Sequence, residues 1–92
     1  MAMTWKVEFD NRARKELRKL DLQSQDRILE WLRGTLATDE DPRRTGTSLK
    51  GRMKGLWRYR VGDFRIISQI QDENVVILVV RIGHRRDIYE DM

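Results

Sequence analysis

The first twenty residues show two different periods of apolar and polar positions. Residues 4–9 alternate apolar with charged side chains, which is typical of a strand with one buried face. Asp10 or Asn11 can then cap a helix in which apolar residues recur on one side and basic residues cover much of the rest. The apolar residues of the two segments are Trp5, Val7, Phe9, Ala13, Leu17 and Leu20.

A second helix is predicted after Asp21, because apolar residues continue at helical spacing from residue 28 to Leu36. The two helices would form a hairpin. Gly34 costs a helix up to ~1 kcal/mol relative to Ala, so it indicates either a close packing contact or early fraying. Residues 38–47, around Pro42, are predicted to form a surface loop.

The second half of the chain has the pattern of an antiparallel meander. Residues 56–61 predict one strand, and Gly62 and Asp63 form a two-residue turn of a primed type. Residues 64–71 are the return strand. After a turn, residues 75–80 are apolar at both parities, which predicts a strand covered on both faces in the sheet interior.

These elements predict an α+β fold. An N-terminal strand is followed by a helical hairpin and a three-stranded antiparallel meander, and the four strands form one sheet with the helices on one face. Residues 1–92 are expected to be a single domain, because a chain of 92 residues has room for one core.

The two-residue turn also predicts which side chains share a face. Val61 pairs with Phe64 and Arg60 pairs with Arg65, so Arg58, Arg60 and Arg65 lie together on the face opposite the apolar residues. Like charges directly opposite one another are destabilising, which favours an anionic ligand on this face. The alternative is a solvated face whose arginines protect the sheet against aggregation.

Composition narrows the possible classes of function. The chain has no cysteine, which excludes disulfides, Cys-type zinc sites and thiol catalysis, and no metal-binding or cofactor motif is present. The longest apolar run has six residues and cannot span a membrane, so a cytoplasmic protein is expected. Net charge is +4, and residues 48–71 alone carry six Lys or Arg against Asp63, a local +5. This local positive charge predicts a polyanion or an acidic protein as the partner.

Three sequence blocks carry a resemblance to a known family. They are Leu49-Lys-Gly51, the block Gly55-Leu-Trp-Arg-Tyr-Arg-Val-Gly-Asp-Phe-Arg-Ile-Ile67, and the tail Ile82-Gly-His-Arg-Arg-Asp-Ile-Tyr89. With the order of elements, they resemble the RelE/ParE superfamily of type II toxins, and the RelE branch most. The resemblance implies the RelE-like microbial ribonuclease fold and a toxin that cleaves messenger RNA in the ribosomal A site. The alternatives are a ParE-like toxin that poisons DNA gyrase without catalysis, and a noncatalytic RNA-binding domain.

The resemblance also implies roles for individual residues. The catalytic set would be Arg58, Arg60, Arg65, Arg85 and Tyr89, with His84 as a further possibility. Arginine is not readily deprotonated, so the strand arginines would hold the scissile phosphate, Arg85 would stabilise the leaving oxygen, and Tyr89 or His84 would be the base. The RNA-binding candidates are Lys50, Arg52, Lys54 and Arg86. The implied partners are an acidic antitoxin and the ribosome with its mRNA; no membrane, metal, cofactor or small molecule is implied.

Overall fold

Five strands form one sheet in the computed structural model, which describes residues 4–84. The strands are β1 (Lys6–Phe9), β2 (Thr47–Ser48), β3 (Trp57–Val61), β4 (Phe64–Gln71) and β5 (Val76–His84). Their order in the sheet is β1-β5-β4-β3-β2, with β1 parallel to β5 and the other pairs antiparallel. The α+β class and the meander are confirmed. The predicted count of four strands was one short, because β2 has only two residues and shows no periodicity.

β5 lies in the interior of the sheet, between β1 and β4. Its position confirms the prediction from the apolar run at residues 75–80. The strand continues beyond that run to His84, and its register with β4 shifts at Ile67 and Ser68, where Val80 has no partner across the ladder. This β-bulge separates the apolar part of β5 from its last residues.

Both helices begin at an aspartate cap. Helix α1 (Asn11–Arg18) begins after Asp10, whose Oδ1 accepts a hydrogen bond from the Ala13 amide at 2.8 Å. Helix α2 (Leu22–Glu30) begins after Asp21, which accepts from the backbone N–H and the hydroxyl of Ser24. The bonds from Ser24 lower the pKa of Asp21. The predicted helical hairpin is confirmed, and short side-chain caps explain where each helix starts.

The second helix changes its winding at Trp31, three residues before Gly34. A π-helical turn, Trp31–Leu36, continues α2 and closes with the Ala37 amide donating to the Leu32 carbonyl at 2.8 Å. No described atom of another element lies within 4 Å of the place where a Gly34 Cβ would be, so the first of the two alternatives, a close packing contact, is wrong. The α-helical pattern instead gives way to a wider turn before this glycine.

The core lies between the helices and one face of the sheet. Trp5 is buried, whereas Trp31 and Trp57 are only partly buried against the core. No helix within residues 4–84 has the length and apolarity needed to cross a membrane. The buried apolar cluster comprises Trp5, Ala13, Ile28, Leu32, Leu36, Ala37, Tyr59, Val61, Ile66, Ile77, Val79 and Ile82.

The predicted surface loop is anchored to β3 and to the residue that follows β4. The buried Tyr59 hydroxyl donates a hydrogen bond of 2.6 Å to the Pro42 carbonyl, and burial raises the pKa of Tyr59. Arg43 forms a two-pronged ion pair with Asp72, at 3.0 and 2.5 Å, and its guanidinium lies 5.9 Å from the Trp57 ring centroid. The loop therefore holds a fixed position beside β3.

Candidate active site

The β3–β4 hairpin places the arginines as its turn predicts. Gly62 has a φ of 59°, and Asp63 is not among the residues with positive φ, which is the pattern of a type II′ turn. The ladder pairs Arg60 with Arg65 and Arg58 with Ile67. The predicted register is confirmed, and the three arginines lie on the sheet face opposite the core.

The three arginines differ in depth. Arg60 is exposed, Arg58 is half-buried and Arg65 retains only 7% of its accessible surface. A fully solvated basic face, the alternative considered for the sequence, does not describe Arg65. The face is a graded surface in which the deepest cation lies on β4 and the most exposed one lies directly opposite it on β3.

Arg65 is a buried cation whose hydrogen bonds, in the described part of the chain, all go to backbone carbonyls. Its Nη1 donates to the Phe64 carbonyl at 3.1 Å and to the Gly62 carbonyl at 3.4 Å. Within residues 4–84, its buried Nε has no hydrogen-bond partner and no carboxylate lies within 4.0 Å of the guanidinium. Burying a charge without a counter-ion is costly, so this position favours an anionic ligand.

The end of β5 completes this face on the other side of β4. Gly83 pairs with Arg65 and Arg81 pairs with Ile67. Because cross-strand partners share a face, Gly83 puts no side chain beside Arg65. Arg81 thus falls in the same cross-strand row as Arg58.

Arg81 is held by an acidic residue of α1, a contact that the sequence did not predict. Its Nε donates to both carboxylate oxygens of Glu16, at 3.2 and 3.3 Å, and the Ile82 amide donates to Oε1 at 3.1 Å. One signal was available, because Glu16 is the only acidic residue in a basic helix. A second signal was Arg81 itself, a charged residue directly after the apolar run at residues 75–80.

The candidate RNA-binding lysines and arginine surround a turn that leads into β3. Lys50, Arg52 and Lys54 are all exposed on or beside a 3-10 turn, Gly51–Met53. A groove of about 270 Å³ runs between this turn and β5. It is lined by Asp10, Arg12, Met53, Leu56, Val80 and Arg81. Of the turn itself only Met53 lines the groove, which reaches Arg81 on β5, and the three exposed cations lie outside its lining.

The remaining predicted residues follow β5. His84 is exposed at the strand's end, and its ring lies edge-on to Phe64 with centroids 6.1 Å apart. Arg85, Arg86 and Tyr89 lie outside the described residues. Within residues 4–84, no group of three His, Asp or Glu side chains could hold a metal ion. The described site is a surface of fixed cations, suited to binding a phosphodiester and stabilising charge on it.

The family of the chain follows from comparison with known proteins. The model of the ParE toxin of the type II toxin–antitoxin system parDE matches residues 7–89. The chain belongs to the RelE/ParE superfamily of type II toxins. It is 32% identical to toxin RelG of Mycobacterium tuberculosis over 87 residues, which cover 95% of this chain and 98% of that toxin.

Further relatives place the chain close to the RelE branch of this superfamily. It is 30% identical to the mRNA interferase toxin RelE of Escherichia coli K12, with 97% and 94% of the two chains covered. The RelBE2 toxin–antitoxin complex of M. tuberculosis contains a chain that superposes with a TM-score of 0.83 and 28% identity, covering 92% of this chain and 95% of that one. The RelE-like fold is confirmed.

Proposed function

We propose that this protein is the toxin of a type II toxin–antitoxin system and an endoribonuclease that cleaves mRNA in the ribosomal A site. The observation that carries the proposal is Arg65, a buried cation that within residues 4–84 bonds only to backbone carbonyls and lies directly opposite Arg60. The relative named an mRNA interferase toxin supports the choice of reaction, and the relative named toxin RelG supports the role as a toxin.

The proposed reaction uses the RNA's own 2′-hydroxyl as nucleophile. The 2′-hydroxyl gives its proton to a general base, and its oxygen forms a bond to the adjacent phosphorus while the bond to the 5′-oxygen breaks. The 5′-oxygen takes up a proton, which leaves a 2′,3′-cyclic phosphate and a 5′-hydroxyl. Charge builds on the non-bridging oxygens, where fixed guanidinium groups stabilise it. We assign Arg58, Arg60 and Arg65 to this clamp because a planar guanidinium binds two phosphate oxygens at once. Arg85 would stabilise the leaving oxygen.

The general base must be a group other than the strand arginines, since guanidinium groups stay protonated. Tyr89 and His84 are the two candidates. If His84 is the base, His84→Gln should flatten the rise of cleavage with pH. If Tyr89 is the base instead, the rise of cleavage with pH lies at a higher pH than a histidine base would give, and it disappears in Tyr89→Phe. Single-turnover cleavage across pH separates them, and unchanged profiles in both variants would assign the step to a ribosomal or substrate group.

The function is tested by primer extension on a reporter message in a purified translation system. Cuts confined to the A-site codon, absent without ribosomes, are expected. Arg60→Ala should reduce them, whereas Arg33→Ala, which removes an equally exposed arginine from the π-helical turn, should not. Intact message together with gyrase-linked DNA breaks would replace this function with gyrase poisoning. Intact message and intact DNA, with RNA binding retained, would favour a noncatalytic RNA-binding domain.

The proposed partners are an acidic antitoxin and the ribosome. The RelBE2 complex shows that a structurally similar chain assembles with an antitoxin, and the exposed Lys50, Arg52, Lys54 and Arg60 favour an acidic partner here. Binding of the purified antitoxin should weaken strongly between about 0.1 and 1 M salt, because exposed charges are screened. Equal affinity at both salt concentrations would show that these cations do not drive the association.

A further inference from the structure

The free edge of β5 faces α1. β1 ends at Phe9, which pairs with Val79, and the Asp10 amide makes the last backbone bond, to the Val79 carbonyl. Beyond that point, no strand of the described residues 4–84 lies beside β5 on this side of the sheet. An unpaired strand edge needs its backbone groups satisfied in another way.

Glu16 supplies that partner from α1. Its carboxylate accepts from the Ile82 amide and from Arg81 Nε, so both oxygens bind the last part of β5. The side chains of Glu16 and Arg81 are only 21% and 8% exposed. Charge-assisted hydrogen bonds at this burial are among the stronger polar contacts in a small domain.

The contact of Glu16 with β5 lies just after the β-bulge at Val80, so it acts on the last residues of the strand. Val80 interrupts the ladder, and the bond to Ile82 fixes the strand just after the interruption. The residues that follow are Gly83, opposite Arg65, and His84, opposite Phe64. The same stretch leads directly to the proposed leaving-group arginine at position 85.

We propose that Glu16 is a positioning residue for the cleavage reaction, because it fixes the end of β5 against α1 and so sets where the chain leaves the sheet beside Arg65. This inference rests on the proposed function. Glu16 acts through Arg81 and the Ile82 amide and touches no reacting atom. Displacement of a catalytic group by about 1 Å can cost on the order of 10²-fold in rate, so loss of the anchor should slow cleavage more than it weakens binding.

The test compares Glu16→Ala and Glu16→Gln with the control Glu8→Gln, which removes an exposed acidic partner of Lys6 on β1. In Glu16→Ala, the saturating single-turnover rate on programmed ribosomes should fall at least about tenfold, with half-saturation changed less than about threefold. Glu16→Gln keeps an acceptor for the Ile82 amide and should recover part of the rate. Glu8→Gln should cleave at the wild-type rate.

Amide hydrogen exchange supplies a readout that does not depend on activity. Exchange at Ile82 should accelerate at least about tenfold in Glu16→Ala, while Ile66 and Ile77 keep their protection. Unchanged exchange at Ile82, or equal loss of protection across the sheet, would overturn the inference. So would a rate equal to that of Glu8→Gln. A wild-type protein that cleaves no message would refute the proposed function alone, and the exchange result would still decide whether Glu16 fixes β5.

Discussion

Replacement of Arg65 by Met should change stability and activity in opposite directions. Arg65 is 7% exposed, lies opposite Arg60 and has no carboxylate partner within residues 4–84. Met is unbranched and apolar, and it occupies much of the volume of the arginine stem. Arg65→Met therefore removes a buried charge without leaving a large cavity.

The expected magnitudes follow from these contacts. Replacing buried charged groups with apolar ones of similar volume is often neutral or stabilising by about 1 to 4 kcal/mol. Two hydrogen bonds to the Phe64 and Gly62 carbonyls are lost, at 3.1 and 3.4 Å, and the longer one is weak. We expect a net gain of about 1 kcal/mol, which raises the Tm by about 4 to 8 °C in a domain of this size. Cleavage should fall by about 10² to 10³, the effect of removing one transition-state donor.

Thermal unfolding followed by circular dichroism and single-turnover cleavage on programmed ribosomes measure the two effects. Arg60→Met is the matched control, because it removes the opposing charge from an exposed position and should change stability by less than about 0.5 kcal/mol. A Tm lowered by several degrees in Arg65→Met would make Arg65 a structural residue. Wild-type cleavage by a well-folded Arg65→Met would remove it from the site.

Three further predictions concern the parts of the fold that support the site. Tyr59→Phe should lower stability by about 1 to 3 kcal/mol in urea unfolding, because it leaves a buried loop carbonyl without its donor; an unchanged midpoint would show that water replaces the hydroxyl. Gly62→Ala should cost about 1 to 2 kcal/mol from its positive φ alone, and its Cβ would lie 2.9 Å from an Arg27 nitrogen; no loss of stability would mean that the turn changes type. The hydrogen bond from Arg43 lowers the pKa of Asp72, so this pair contributes stability above about pH 4 that is lost as pH falls through the folded-state pKa. Asp72→Asn should remove that part of the acid dependence in pH-dependent thermal melts, and an unchanged pH profile would contradict it.

The register of the arginine face could be predicted from the sequence, but the depth of each arginine could not. A two-residue turn at Gly62 fixes every pair on β3 and β4, and the period of two then assigns each side chain to a face. Arg60 and Arg65 are equivalent by that pattern. They differ because Arg65 lies on β4, an interior strand with neighbours on both sides, whereas β3 is flanked on its outer side only by the two residues of β2.

The contact between Glu16 and Arg81 could not be predicted by the same means. The two residues are 65 positions apart, and periodicity within one element carries no information about which distant element it meets. The end of β1 at Phe9 and the bulge at Val80 together leave the edge that Glu16 occupies. Both features depend on how the strands pair, and neither has a local signature. The π-helical turn after α2 could not be predicted either, since the only local sign of it in the sequence is Gly34.

The two faces of the β3–β4 hairpin explain how the fold tolerates its arginines. Tyr59, Val61 and Ile66 alternate with the arginines and are buried in the core, so they hold the hairpin in register from the other side. Repulsion across the Arg60–Arg65 pair acts on strands whose register those contacts already determine. The face opposite the core can therefore concentrate positive charge at a cost in stability without losing its geometry. A bound phosphodiester would offset that cost, because it supplies the counter-charge that residues 4–84 do not place beside Arg65.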